Sequence, residues 1–163
     1  SEMCIRDRSK NLRICPRQGR ERNCMSVVKS KRGKSKFEVL VKANKLASFT
    51  IRICSNEKNF PKRYRWTITS KIVNEAIDIC RYIRKANKRV LNREMLKEYK
   101  KRRKYQNKAL DSIDSMLALM DIAYYTFHIK DEKIDNWVDM VVSLQTLLEG
   151  WKKSDKNFMK QKG

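Results

Sequence analysis

Apolar residues recur along this chain at alternating intervals of four and three, and that rhythm leaves little choice of fold. Ile72, Ala76, Ile79, Ile83, Ala86 and Val90 keep it. So do Leu110, Ile113, Leu117, Met120, Tyr124 and Phe127, and then Ile134, Trp137, Val141, Leu144, Leu148 and Trp151. Side chains spaced this way fall on one stripe of an α-helix. A looser seam of Leu40, Ala47, Ile51 and Cys54, flanked by Ala43, Leu46 and Ile53, predicts a further helix from Phe37 to about Ser55.

The links are short or charged. Pro61 argues against a helix running through Asn56–Arg65, and Thr67 or Thr69 is expected to cap the second helix. The polar link Lys130–Lys133 makes the third and fourth helices antiparallel neighbours, and Gly150 stands where the last turn of the fourth can terminate. The reading is all-α, an antiparallel up-down four-helix bundle. Strict heptads would also suit a coiled coil. Apolar neighbours beside the stripes, namely Val73, Ile77 and Cys80 on the second helix and Met116 and Ala123 on the third, favour a globular bundle with faces left for packing between subunits.

At 163 residues the chain suffices for one domain with a real core. Residues 37–152 are assigned to the bundle and 153–163 to a frayed basic tail. Residues 1–24 have no hydrophobic period and are expected to form a disordered leader. Met25 is the expected start, since the sequence becomes well organised soon after it, and the opening SEMCIRDR also resembles translated sequencing-adapter read-through. Residues 25–36, with the run KSKRGKSK, are expected to be a flexible basic arm.

Charge narrows the function. Lys+Arg number 40 against 18 Asp+Glu, a formal net charge of +22. So large an excess repels itself in a compact state, and polyanions are its natural partners. On the second helix Arg81, Arg84, Lys85, Lys88 and Arg89 crowd the faces away from the apolar stripe. The stretch Asn92–Lys108 is nearly all charge, with Arg93, Lys97, Lys100, Lys101, Arg102, Arg103 and Lys104 around Tyr99 and Tyr105. It either prolongs a helix or forms an ordered loop.

Catalysis finds little support. His128 is the single histidine, without a His or Cys partner at ligand spacing, and reads as an exposed or capping residue. Asp111, Asp114 and Asp121 fit a solvated helix face. Neither a P-loop nor a nucleophile elbow occurs, and the Arg-then-His pattern of the HEPN ribonucleases is missing before His128. An enzyme, a cofactor and a metal site are therefore not expected. The five cysteines form no CxxC pair. Cys54 and Cys80 read as small buried hydrophobes, and reduced thiols fit a cytoplasm. No apolar run approaches the roughly 18 residues of a membrane-spanning helix. Trp137, Trp151, Tyr124 and Phe127 lie on seams and read as core. Tyr64, Trp66, Tyr99 and Tyr105 lie among cations, where stacking on unpaired bases competes with capping or inter-subunit packing.

The succession KSKRGKSKFEVLVKANKLASFTIRICSNEKNFPKRYRWTITSKIVNEAIDICRYIRKAN, then YQNKALDSIDSMLALMDIAYYTF, then WVDMVVSLQTLLEGWKKSD, resembles the accessory variability determinant proteins of diversity-generating retroelements. The resemblance covers about residues 25–157. It implies a four-helix bundle that assembles into a ring-shaped homopentamer and binds the reverse transcriptase of its element together with RNA and cDNA. It also implies a bacterial or phage-encoded protein that supports mutagenic reverse transcription without catalysing it. By the same resemblance, nucleic-acid contacts are expected at Arg63, Arg65, Arg81, Arg84, Lys85, Lys88 and Arg89. The unusually basic insert adds Lys100, Lys101, Arg102, Arg103 and Lys104. The broader relatives are four-helix-bundle proteins encoded in ribosomal RNA intervening sequences. They supply the alternative, a self-associating basic RNA-binding bundle without a polymerase partner.

Overall fold

The structure, a computed structural model, describes residues 38–92 and 94–160. The leader, the basic arm, Cys4, Cys15, Cys24 and Arg93 lie outside the described residues. Helix α1 spans Glu38–Cys54, α2 Ser70–Asn87, α3 Leu96–Phe127 and α4 Asp131–Lys160, with no strand among the described residues. Contacts between α1 and α2, α2 and α3, α3 and α4, and α1 and α4 close a cycle around one core, as in a helical bundle.

The rhythm of the sequence explains that core. Ile72, Ala76, Ile79, Ile83 and Ala86 of α2 are buried, as are Ile134, Trp137, Val141, Leu144 and Leu148 of α4. On α3 the deepest line is Ala109, Ile113, Met116, Met120 and Ala123, and Leu110, Leu117 and Tyr124 are only partly buried. Helix α3 packs against both α2 and α4, so its buried face centres between two stripes rather than on one. The indole N–H of Trp137 donates to Thr50 Oγ1 at 2.9 Å, satisfying two polar groups inside the core.

The α1–α2 link brings Phe60 under the bundle, its ring 5.4 Å from Phe127 and 6.1 Å from Trp137. Beyond Pro61 the backbone coils at once, through a 3-10 turn at Lys62–Tyr64 and a π-helical turn at Arg65–Thr69 that leads into α2. Neither threonine therefore caps α2. Thr69 is already helical and makes no capping hydrogen bond, and Thr67 Oγ1 donates to the Tyr64 carbonyl at 3.1 Å. His128 is exposed and closes α3 in the left-handed conformation, φ 51°, with its N–H on the Tyr124 carbonyl. It occupies a position that glycine or asparagine usually fills.

The charged stretch proves helical from Leu96 on, where α3 begins, and Lys97, Lys100, Lys101, Arg102, Arg103 and Lys104 lie on its first turns. Gly150 does not end α4, which continues to Lys160 and takes residues 153–160 of the expected tail with it. A Cβ added at Gly150 would meet nothing within 4 Å. Gly150→Ala should thus raise unfolding stability by about 0.5–1 kcal/mol, read from the denaturation midpoint at constant slope.

Burial pushes the Cys54 thiol up to about 12, and the Cys80 thiol up to about 11 despite opposition from Arg84. Both raised values mean that the folded chain holds these protons more tightly than the unfolded one. Their contribution to stability is full below the ordinary thiol range and is lost as pH rises toward those values. At pH 8 both should resist iodoacetamide in the folded chain and react on unfolding, as resolved by peptide mass mapping.

Candidate nucleic-acid interface

The end of α2, the start of α3 and the end of α4 meet at one extremity of the bundle. What joins them is a polar extension of the core. The α3 seam, traced back from Ile113 and Ala109 by the same intervals, reaches Gln106 and then Arg102. The α4 seam, continued past Leu148 and Trp151, reaches Asp155. All three polar residues are buried. Arg102 Nε and Nη2 donate to the two Asp155 oxygens at 2.6 and 3.1 Å, and Gln106 Nε2 donates to Asp155 Oδ2 at 2.7 Å. Arg102 Nη1 donates to the Arg89 carbonyl at 3.0 Å, which binds the α2 terminus into the cluster. The guanidinium also lies 4.7 Å from the Trp151 ring centroid.

Arg102 is accordingly an interior residue, where the sequence reading had it contacting nucleic acid. The extension of α4 past Gly150 supplies the carboxylate that draws it inward. Arg103 turns toward α4 as well, its Nη1 donating to the Lys152 carbonyl at 2.8 Å.

The other expected contacts divide by position. Arg81, Arg84 and Lys85 on α2, with Lys88 and Arg89 just past its end, share this extremity with Lys100, Lys101 and Lys104 on α3. Arg63 and Arg65 are exposed but precede α2, whose full length, about 27 Å at 1.5 Å per residue, separates them from Lys88. They do not join the same cluster. Arg81 pairs with Asp78 at 3.0 Å, Arg89 with Glu98 at 3.4 Å and Lys101 with Glu98 at 2.9 Å. Arg84 donates to Asn44 Oδ1 at 3.1 Å. Lys85, Lys88, Lys100 and Lys104 are exposed and pair with no carboxylate among the described residues. Uncompensated cations therefore remain on the surface of both α2 and α3.

Glu98 stands between cations. The hydrogen bond from Lys101, and the charges of Lys101 and Arg89, hold its carboxyl below the usual carboxylate range. The Tyr82 hydroxyl, which accepts from Arg81 Nη2 at 3.3 Å, and then Asp78 raise the Arg81 pKa above its ordinary value, so Arg81 remains charged. A surface recess on α3 is lined by Tyr99, Lys100, Arg103, Lys104, Asn107, Lys108 and Asp111.

Sequence reasoning missed Lys108 and Tyr82, which lie beside each other across α2 and α3, with Lys108 Nζ 5.5 Å from the ring centroid. It also missed the exposed Lys153 and Lys156 of α4, assigned to a tail. The available signal was Asp155, an acid on the apolar register among lysines. Tyr64, a candidate for stacking, instead packs 5.0 Å from Phe127, and Trp66 stands 81% exposed.

No family model matches the chain, and no curated protein or solved structure matches it. Among the described residues no group of three or more His, Cys, Asp or Glu comes together to hold a metal, and no helix is long and apolar enough to cross a membrane.

Removing one partner of a buried ion pair strands the other charge. Asp155→Ala should cost about 3–5 kcal/mol in denaturant unfolding, while Arg102→Met combined with Asp155→Leu should recover most of that loss.

Proposed function

We propose that this chain is a non-catalytic accessory protein that holds RNA and cDNA for the reverse transcriptase of a diversity-generating retroelement. In this reading the bundle is antiparallel and up-down, and copies of it assemble into a pentameric ring in a bacterial or phage-encoded system. One observation carries the nucleic-acid part: cations from α2 and α3, several without a carboxylate partner, gather at one extremity of the bundle. The polymerase and the ring rest on the resemblance to accessory variability determinant proteins. Repetition of a basic face around a ring would add avidity without any new kind of contact.

Neutralising phosphates releases counterions, so affinity for single-stranded RNA should fall with salt, with a logarithmic slope of about −0.7 per phosphate contacted. Lys85→Glu, Lys88→Glu and Lys104→Glu together should abolish retention of labelled RNA on a filter and leave the helical circular dichroism intact. Unchanged retention would overturn the reading. Glu98→Gln removes the acid between Arg89 and Lys101 and should tighten RNA binding by roughly two- to fivefold at low salt. Co-purification with a reverse transcriptase encoded nearby tests the partner directly.

The second reading, a self-associating basic bundle of the intervening-sequence type, is favoured by the exposed apolar side chains Ile51, Ile77 and Val142 on three helices. A gene neighbourhood with neither a reverse transcriptase nor paired near-identical repeats would support it.

A further inference from the structure

Two tyrosines stand where α2 meets α3, each attended by two cations. Tyr105 has Lys85 Nζ 5.7 Å and the Arg89 guanidinium 5.9 Å from its ring centroid, both within reach of a cation–π attraction. Tyr82 has the Arg81 guanidinium at 5.1 Å and Lys108 Nζ at 5.5 Å. Arg81 and Lys85 follow each other at an interval of four, one turn of α2 and about 6 Å apart, and Arg89 stands just beyond the last helical residue, Asn87. Both rings are partly buried. The four cations retain exposed or half-exposed surface.

A lysine or arginine that immobilises on a phosphate loses much of its rotamer freedom, and that loss opposes binding. A ring that already holds the cation near its final place removes part of the loss. It leaves the far side of Lys85 and Lys108 for an anion, while Arg81 and Arg89 would exchange Asp78 and Glu98 for it. The same placement disfavours base stacking, because the ring is already engaged by cations.

Resting on the nucleic-acid reading above, we infer that Tyr82 and Tyr105 are positioning residues. They hold Arg81, Lys85, Arg89 and Lys108 as a pre-arranged comb for the phosphate backbone, which the comb reads without regard to base. The ligand class is any flexible polyphosphate chain of suitable spacing, with single-stranded RNA or cDNA as the form relevant to a copying complex.

Four versions of the full chain distinguish the possibilities: unaltered, Tyr82→Leu with Tyr105→Leu, Tyr82→Phe with Tyr105→Phe, and Lys85→Gln. Each is titrated with oligouridylate and with inorganic polyphosphate over a series of salt concentrations. The leucine pair should lose roughly two- to fivefold per tyrosine toward both ligands. Its salt slope should stay unchanged, because the cations remain. The phenylalanine pair keeps the ring faces and loses only the exposed hydrogen bond from Arg81 to the Tyr82 hydroxyl, so it should recover most of the affinity that the leucine pair loses. Lys85→Gln should flatten the slope toward oligouridylate by about 0.7.

Loss toward oligouridylate alone would make the tyrosines base stackers and overturn the inference, as would full affinity in the leucine pair. If the unaltered chain bound neither ligand, the nucleic-acid reading itself would fall. Reductive methylation of the unaltered chain adds an arm that needs no variant. The methyl resonances of Lys85 and Lys108 should be displaced upfield by the tyrosine ring currents, and random-coil positions for both would overturn the inference.

Discussion

The ion pair between Arg102 and Asp155 sets how far the bundle extends beyond its apolar core. Hydrophobic contact accounts for the helices as far as Ala109 on α3 and Leu148 on α4. Past those points both seams become polar, and two strongly charged segments have to be brought together. A guanidinium and a carboxylate in a two-bond arrangement do this, with Gln106, Trp151 and the Arg89 carbonyl completing the surroundings. Desolvating two charges consumes most of what their attraction returns, so the pair adds little net stability. What it adds is definition, because one guanidinium engages α3, α4 and the end of α2 at once.

That division explains what could be read from the sequence. The four helices, the α2 stripe as far as Ala86, the α4 stripe and the hydrophobic character of Cys54 and Cys80 follow from periodicity, which is a local property, whereas Val90, read as the end of the α2 stripe, lies beyond the helix and is exposed. The ends of the helices depended on partners far along the chain. Gly150 reads as a terminator when only its own propensity is considered. Asp155, five residues further on, is held by Arg102 on another helix, and α4 continues. The threonines before α2 read as caps until the coil that starts at Lys62 places them inside a helical path. Arg102 shows the same limit for the site. Its neighbours Lys101 and Lys104 are exposed, and only its coincidence with the seam register distinguishes it in sequence.

Charge is also sorted along the helices. Helix α4 opens with Asp131, Glu132, Asp135 and Asp139 and finishes with Lys152, Lys153, Lys156 and Lys160, in agreement with its dipole. Helix α2 finishes with Arg84 and Lys85, again in agreement. Helix α3 does the opposite. Its first turns carry Lys97, Lys100, Lys101, Arg103 and Lys104 at the end where the dipole is already positive, with Glu98 as the acid in the first turn.

Local rules are most often broken where function requires it. The start of α3 sets cations against its own dipole, against one another and against the cations of α2, and the fold contains that repulsion rather than removing it. Glu98 bridges Arg89 and Lys101, Asp155 withdraws Arg102 from the surface, and the Tyr82 and Tyr105 rings attend Arg89 again and three more cations, Arg81, Lys85 and Lys108. A surface selected for stability alone would disperse these charges or match them with carboxylates. Retaining them, and fixing several in place, raises the free energy of the isolated chain by an amount that a bound polyanion would relieve. On the proposed reading, the same repulsion that burdens the free protein would become part of the driving force for association.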